Sequence, residues 1–143
     1  MVGFVVTGHG SVSLGMLNAL EIIAGPQDDV VAVPFHEKDA ADFGGHLHEQ
    51  IARMAAKTGH VVIFCDLVGG SPFNQAMLAA QDIDGVEVVA GMNLPMLLEA
   101  TLERGASVGE VCDAAVEAGR TGVAHTRIPS ADETADDLGE DGI

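Results

Sequence analysis

The chain predicts an α/β fold of three layers, in which a mainly parallel four-stranded sheet lies between helices and a weaker fifth strand forms an edge. Three observations carry this expectation. Short apolar runs at 2–6, 30–33, 61–65 and 86–90 alternate with amphipathic stretches of helical length, the pattern of right-handed βαβ units. Two of those runs end in glycine-rich turns, Thr7-Gly8-His9-Gly10-Ser11 and Asp66-Leu67-Val68-Gly69-Gly70-Ser71, as strands do where they meet a ligand crevice. Finally, 143 residues with 48% apolar content suit one domain, which at that size buries roughly 68–70% of its unfolded surface.

The elements follow in order. The run 2–6 is the first strand, and a helix over about 13–24 carries Leu14, Leu17, Leu20 and Ile23 on one face before Gly25-Pro26 stops it. Strand two is Val30–Val33. The second helix, about 39–57, repeats Phe43, Leu47, Ile51 and Met54 at spacings of three and four. Strand three, 61–65, enters a third helix with Ser71 expected as its N-cap and Pro72 in its first turn. Strand four, 86–90, is followed by the turn Gly91-Met92-Asn93-Leu94-Pro95, a helix ending near Arg104-Gly105, and another over about 107–118. Gly122–Thr126 reads as a short edge strand, expected to be antiparallel, and the domain is expected to close at 129.

Charge narrows the partners. Twenty-two acidic residues against six basic ones give a formal net charge of −16, a field that repels nucleic acid and anionic membrane surfaces. Six of the acids fall in the last twelve residues, from Asp132 to Asp141, so 130–143 is expected to be an acidic, disordered tail. The apolar runs stop well short of the roughly 20 residues that span a bilayer, and no charged segment precedes the first. The expectation is a cytoplasmic protein. Cys65 and Cys112 have no CxxC spacing and read as reduced core thiols. His36, His46, His48 and His60 invite a metal site, but residues two apart on a helix face different ways, so no metal is expected.

The chemistry concentrates on two residues. His9 ends the first strand region and Asp66 the third, and a carboxylate that accepts one ring N–H fixes the tautomer and leaves the other nitrogen's lone pair exposed. Neither Ser11 nor Ser71 lies in a G-x-S-x-G elbow, which weakens a hydrolase reading. An imidazole nucleophile suits a phosphoryl electrophile, because amides of glycine-rich turns and helix starts hold phosphate oxygens without basic side chains. Gly8, Gly10, Gly69, Gly70 and Ser71 are the candidate phosphate-binding residues. Neither a Walker motif nor G-x-G-x-x-G is present, so no nucleotide or other cofactor is expected. His36 follows strand two and can lie at the crevice rim, and Asn93 and Pro95 can shape that rim where partners dock.

Val5-Val6-Thr7-Gly8-His9-Gly10, the block Asp66-x-x-Gly69-Gly70-Ser71-Pro72-Phe73-Asn74, and Gly91-x-Asn93-Leu94-Pro95 together resemble the enzyme IIA component of the mannose family of the bacterial sugar phosphotransferase system. The resemblance covers about residues 1–127, with every motif in order. It implies a phosphotransferase in which His9 accepts a phosphoryl group from the phosphocarrier HPr on Nε2, Asp66 holds Nδ1–H, and a IIB protein receives the group for sugar entering through membrane components IIC and IID. It also implies a homodimer that exchanges a C-terminal edge strand, matching 122–127. Gly15-Met16 and Leu97-Leu98-Glu99 resemble the galactosamine or N-acetylgalactosamine branch. Two other readings stand beside it: a regulatory module read by its phosphorylation state, and the phosphotransfer subunit of dihydroxyacetone kinase. That relative usually reads S-H-S at the histidine and lacks the Gly69–Asn74 block.

Overall fold

In the computed structural model, which describes residues 1–132, β1 (Gly3–His9), β2 (Val30–Phe35), β3 (Val61–Cys65) and β4 (Val86–Ala90) form one parallel sheet in the order β2-β1-β3-β4. Between and after them run α1 (Val12–Ala24), α2 (Ala40–Thr58), α3 (Gly70–Asp82), α4 (Leu94–Leu102) and α5 (Val108–Thr121), with a single 3-10 turn at Glu37–Asp39 before α2. From β1 the chain steps one way to β2, then crosses back over β1 to β3 and continues to β4. A right-handed crossover places its helix on a face set by the direction of the step. Hence α1 covers one face, while α2 and α3 share the other. The three layers follow.

Side chains alternate along the strands, so each strand feeds two cores. Phe4, Val6, Val62 and Phe64 pack with Leu20, Leu97, Val111 and Ala115 beneath α1, α4 and α5. Val5, Val33, Ile63 and Cys65 pack with Phe43, Leu47, Ile51 and Ala76 beneath α2 and α3. Phe4 and Phe64 meet edge to face at 5.2 Å between centroids, within the favourable range for aromatic pairs. Arg104, nearly buried, closes the end of the sheet remote from the crevice. Its guanidinium lies 4.8 Å from the Phe4 ring centroid and donates to the carbonyls of Val2, Asp28 and Asp29 at 3.0, 2.7 and 3.2 Å. One side chain thus ties the chain start to the β1–β2 connection.

In the single chain Gly122 caps α5, residues 123–130 take no regular structure, and the outer edge of β4 has no neighbour among the described residues, so the edge strand at 122–127, expected as one exchanged between two copies, is not formed by one chain alone. Two expectations are corrected. On α1 the buried line runs through Ser13 and Leu20, whereas Leu14, expected in the core, is 48% exposed. That helix is apolar on several sides, so periodicity alone does not select its inner face. The N-cap of α3 is Gly69, with no side-chain cap bond, and Ser71 sits one residue inside the helix. The acidic tail lies, from residue 133 onward, outside the described residues.

Candidate functional site

The strand order decides the site. Because the chain crosses from β2 over β1 to β3, the connections leaving β1 and β3 depart to opposite faces and open a crevice between their carboxyl ends. β1 supplies His9 and the residue after β3 supplies Asp66. The His9 backbone N–H donates to Asp66 Oδ2 at 2.9 Å, and His9 Nδ1 lies 2.9 Å from the same oxygen. The Leu67 N–H donates to Oδ1 at 2.9 Å, so both carboxylate oxygens are engaged. Burial works to raise the Asp66 pKa, but the backbone and ring of His9 and the Leu67 amide outweigh it and hold it below the ordinary value. Asp66 is therefore an anion near neutral pH. An anionic carboxylate only accepts hydrogen bonds, so the neutral His9 ring carries its proton on Nδ1 and presents the lone pair of Nε2.

Two glycines make this contact close enough. A Cβ on Gly8 would lie 2.8 Å from Asp66 Cγ and 2.5 Å from Val12 Cγ1, so only hydrogen at that position admits the carboxylate. Gly70, with φ +80, begins α3 directly over the imidazole: a Cβ there would stand 3.1 Å from His9 Cε1 and 3.3 Å from Nε2. The strand pleat explains the meeting. Val5, Thr7 and His9 share the parity that faces α2 and α3, and α3 starts at that end of the sheet. The His9 ring also meets the edge of Phe35 at 5.8 Å between centroids. Phe35 is the β2 residue in register with His9.

The His9 side chain is 48% exposed and opens on a cleft of about 530 Å³ lined by Gly10, Phe35, His36, Glu37, Ala40 and Ser71. The first amides of a helix have no intrahelical partner, and with no side chain capping α3 the N–H groups of Gly70 and Ser71 stand open beside the ring. Pro72, third in the helix, has no N–H to offer. The helix dipole adds positive potential at this end. Gly10 departs from expectation: its amide donates to the Phe35 carbonyl at 2.7 Å and is not free for a phosphate oxygen. It closes the turn after β1 onto the end of β2. Phe35 and Glu37 carried no signal of their own in the sequence. Their place in the cleft follows from β2 lying beside β1, which no local pattern reports.

The remaining candidates lie elsewhere. Asn93 caps α4, its Oδ1 accepting from the Met96 N–H at 3.1 Å and its Nδ2 donating to the Gly119 carbonyl at 2.9 Å, so its visible work is joining α4 to α5. His48 Nε2 is 2.6 Å from Asp82 Oδ2 and ties α2 to α3 at the surface. Among the described residues no cluster of three or more His, Cys, Asp or Glu side chains has a metal-holding arrangement. Burial pushes the Cys65 thiol up to about 12 and the Cys112 thiol up to about 11, which makes both poor nucleophiles at neutral pH. No helix among the described residues is long and apolar enough to cross a membrane.

Comparison with known proteins agrees with this architecture. Residues 3–116 match the family model described as PTS system fructose IIA component. The chain is 34% identical over 125 residues to the PTS system mannose-specific EIIAB component of Escherichia coli (strain K12), covering 85% of this chain and 38% of that protein. It is 26% identical to the PTS system fructose-specific EIIA component of Bacillus subtilis (strain 168), covering 69% of this chain and 68% of that protein. The chain thus spans about two fifths of the length of the Escherichia coli relative. Among solved structures, the mannose/sorbose specific IIA subunit from Enterococcus faecalis superimposes with a TM-score of 0.78 at 25% identity, covering 90% of this chain and 97% of that one. A family match over most of the chain, together with the shared fold, places it: the protein belongs to the phosphotransferase-system IIA family of mannose and fructose type.

Proposed function

We propose that the protein is a phosphorelay component of a sugar phosphotransferase system, in which His9 Nε2 accepts a phosphoryl group from phosphorylated HPr and passes it to a IIB protein. The observation that carries this reading is the His9–Asp66 pair, with both the ring nitrogen and the backbone N–H of His9 at 2.9 Å from one carboxylate oxygen. It fixes the tautomer that attacks. The Nε2 lone pair forms a bond to phosphorus while the donor's P–N bond breaks and its electron pair leaves with the donor nitrogen. The Nδ1 proton stays on the ring, donated to Asp66, whose carboxylate balances the positive charge that develops on the imidazole. Amides of Gly70 and Ser71 and the start of α3 receive the phosphoryl oxygens. Gly69 shapes that turn, and Gly8 keeps Asp66 close.

In this reading the chain acts in the cytoplasm and reaches the membrane IIC and IID components only through IIB. A homodimer belongs to it: Val123 and Ile128 are exposed and the outer edge of β4 is open among the described residues, which suits exchange of residues 122–127 between two copies. The test is incubation with HPr, phosphoenolpyruvate and the phosphotransferase that charges HPr from it, followed by mapping of the acid-labile phosphate. Label on His9, lost in His9→Ala, is the expected result. Label elsewhere, or full labelling of His9→Ala, refutes the assignment.

A further inference from the structure

The cleft beside His9 poses an electrostatic problem. A transferring phosphoryl group brings negative charge into a chain of net charge −16, next to the Asp66 carboxylate and with Glu37 on the cleft wall. None of the six Lys and Arg residues lines that cleft. Backbone amides carry only partial charges. Among the lining residues other than His9, one side chain can bring a full positive charge: His36.

His36 is placed for the task by the same register that brings Phe35 to His9. It is the residue after that register partner, in extended backbone with φ −113 and ψ 139, immediately before the Glu37–Asp39 turn. Its side chain is only half-buried, and neither ring nitrogen has a hydrogen-bond partner among the described residues. The other crevice imidazole, His9, is held by Asp66, whereas His36 is free to turn a donor toward an arriving anion. His36 also lines a second cleft, of about 310 Å³, with Asp39, Asp42 and His46.

We infer that His36 is a second functional imidazole of this site, donating a ring N–H to a phosphoryl oxygen of the group carried on His9. The inference rests on the phosphorelay reading and adds a residue to it. In the transfer, phosphorus forms its new bond to His9 Nε2, the bond to the donor nitrogen breaks and takes its electron pair with it, and the departing nitrogen takes up a proton. His36 forms no bond to phosphorus. It supplies a hydrogen bond, and when protonated a charge, to oxygens whose negative charge the transfer redistributes.

The test uses phosphoramidate as a small phosphoryl donor, so that no partner protein's docking surface enters the rate. Phosphohistidine formation is followed by phosphorus NMR in the full chain and in His36→Phe, His36→Gln and His36→Arg. A lost oxyanion donor costs about 10²–10³ in a closed site, and in this open cleft the expected loss for His36→Phe is about tenfold. His36→Gln and His36→Arg, which keep an N–H donor, are expected within about threefold of the unsubstituted protein. In the unsubstituted protein, nitrogen-15 spectra should show the His36 ring signals move when His9 is phosphorylated. Unmoved His36 signals, a His36→Phe rate equal to that of the unsubstituted chain, or equal slowing in all three variants would each overturn the inference. If the unsubstituted chain forms no phosphohistidine at all, the phosphorelay reading falls and this one with it.

Discussion

Gly69 and Gly70 provide an internally controlled test of the site. Both have positive φ, +85 and +80, a backbone that side chains rarely adopt, so an alanine at either position is strained by about 1–3 kcal/mol. For a domain of this size that corresponds to a melting midpoint lower by roughly 3–12 °C. The two differ in what a methyl group would meet. At Gly69 nothing lies within 4 Å, but at Gly70 the Cβ would stand 3.1 Å from His9 Cε1 and 3.3 Å from Nε2, inside the optimal carbon contact distance of about 3.5–4.0 Å. The ring must shift or surrender the space that its phosphoryl group needs, and misplacement by about 1 Å costs on the order of 10²-fold in rate. Stopped-flow phosphorylation by HPr and thermal melts of Gly69→Ala and Gly70→Ala should therefore show similar stability losses and a rate loss concentrated in Gly70→Ala. Equal rates in the two variants would refute the placement of α3 over the nucleophile.

Asp66→Asn keeps the shape of the pair but lets an amide N–H face the ring, which favours the wrong tautomer. Phosphorylation should slow by roughly 10²- to 10⁴-fold while the circular dichroism spectrum is unchanged, and a rate near that of the unsubstituted protein would remove the orienting role. The depressed Asp66 pKa predicts a pH dependence of stability. The group's contribution is fully present above its unfolded value, near 3.8, and is lost as pH falls through the lower folded value. Denaturant midpoints measured from pH 6 to pH 2 should fall less steeply in Asp66→Asn than in the unsubstituted chain, and parallel curves would contradict the shift. Arg104→Met strands three carbonyls at the closed end of the sheet and should destabilise by roughly 2–4 kcal/mol in chemical denaturation, leaving the phosphorylation rate intact. A loss below about 0.5 kcal/mol, the range of an ordinary surface substitution, would show that water replaces the clasp.

By itself the sequence determined the element order and most of the boundaries. Strand runs of branched residues, helix repeats such as Phe43, Leu47 and Ile51, and the stop at Gly25 act through local sterics and hydrogen bonding, which neighbouring residues encode. It also marked His9 and Asp66, because two apolar strands that both end in glycine-rich turns are legible one at a time. Tertiary structure alone decided that these two residues, 57 positions apart, share a proton, since that depends on β1 lying between β2 and β3. The same order brought Phe35 and His36 to the cleft and committed the Gly10 amide to the end of β2. Ser13 took the inner face of α1 in place of Leu14 because the neighbouring helices, and not the helix's own periodicity, select which side of an apolar cylinder is covered. Contacts between distant segments are set by register and crossover direction, and these are collective properties that become definite only once the layers pack.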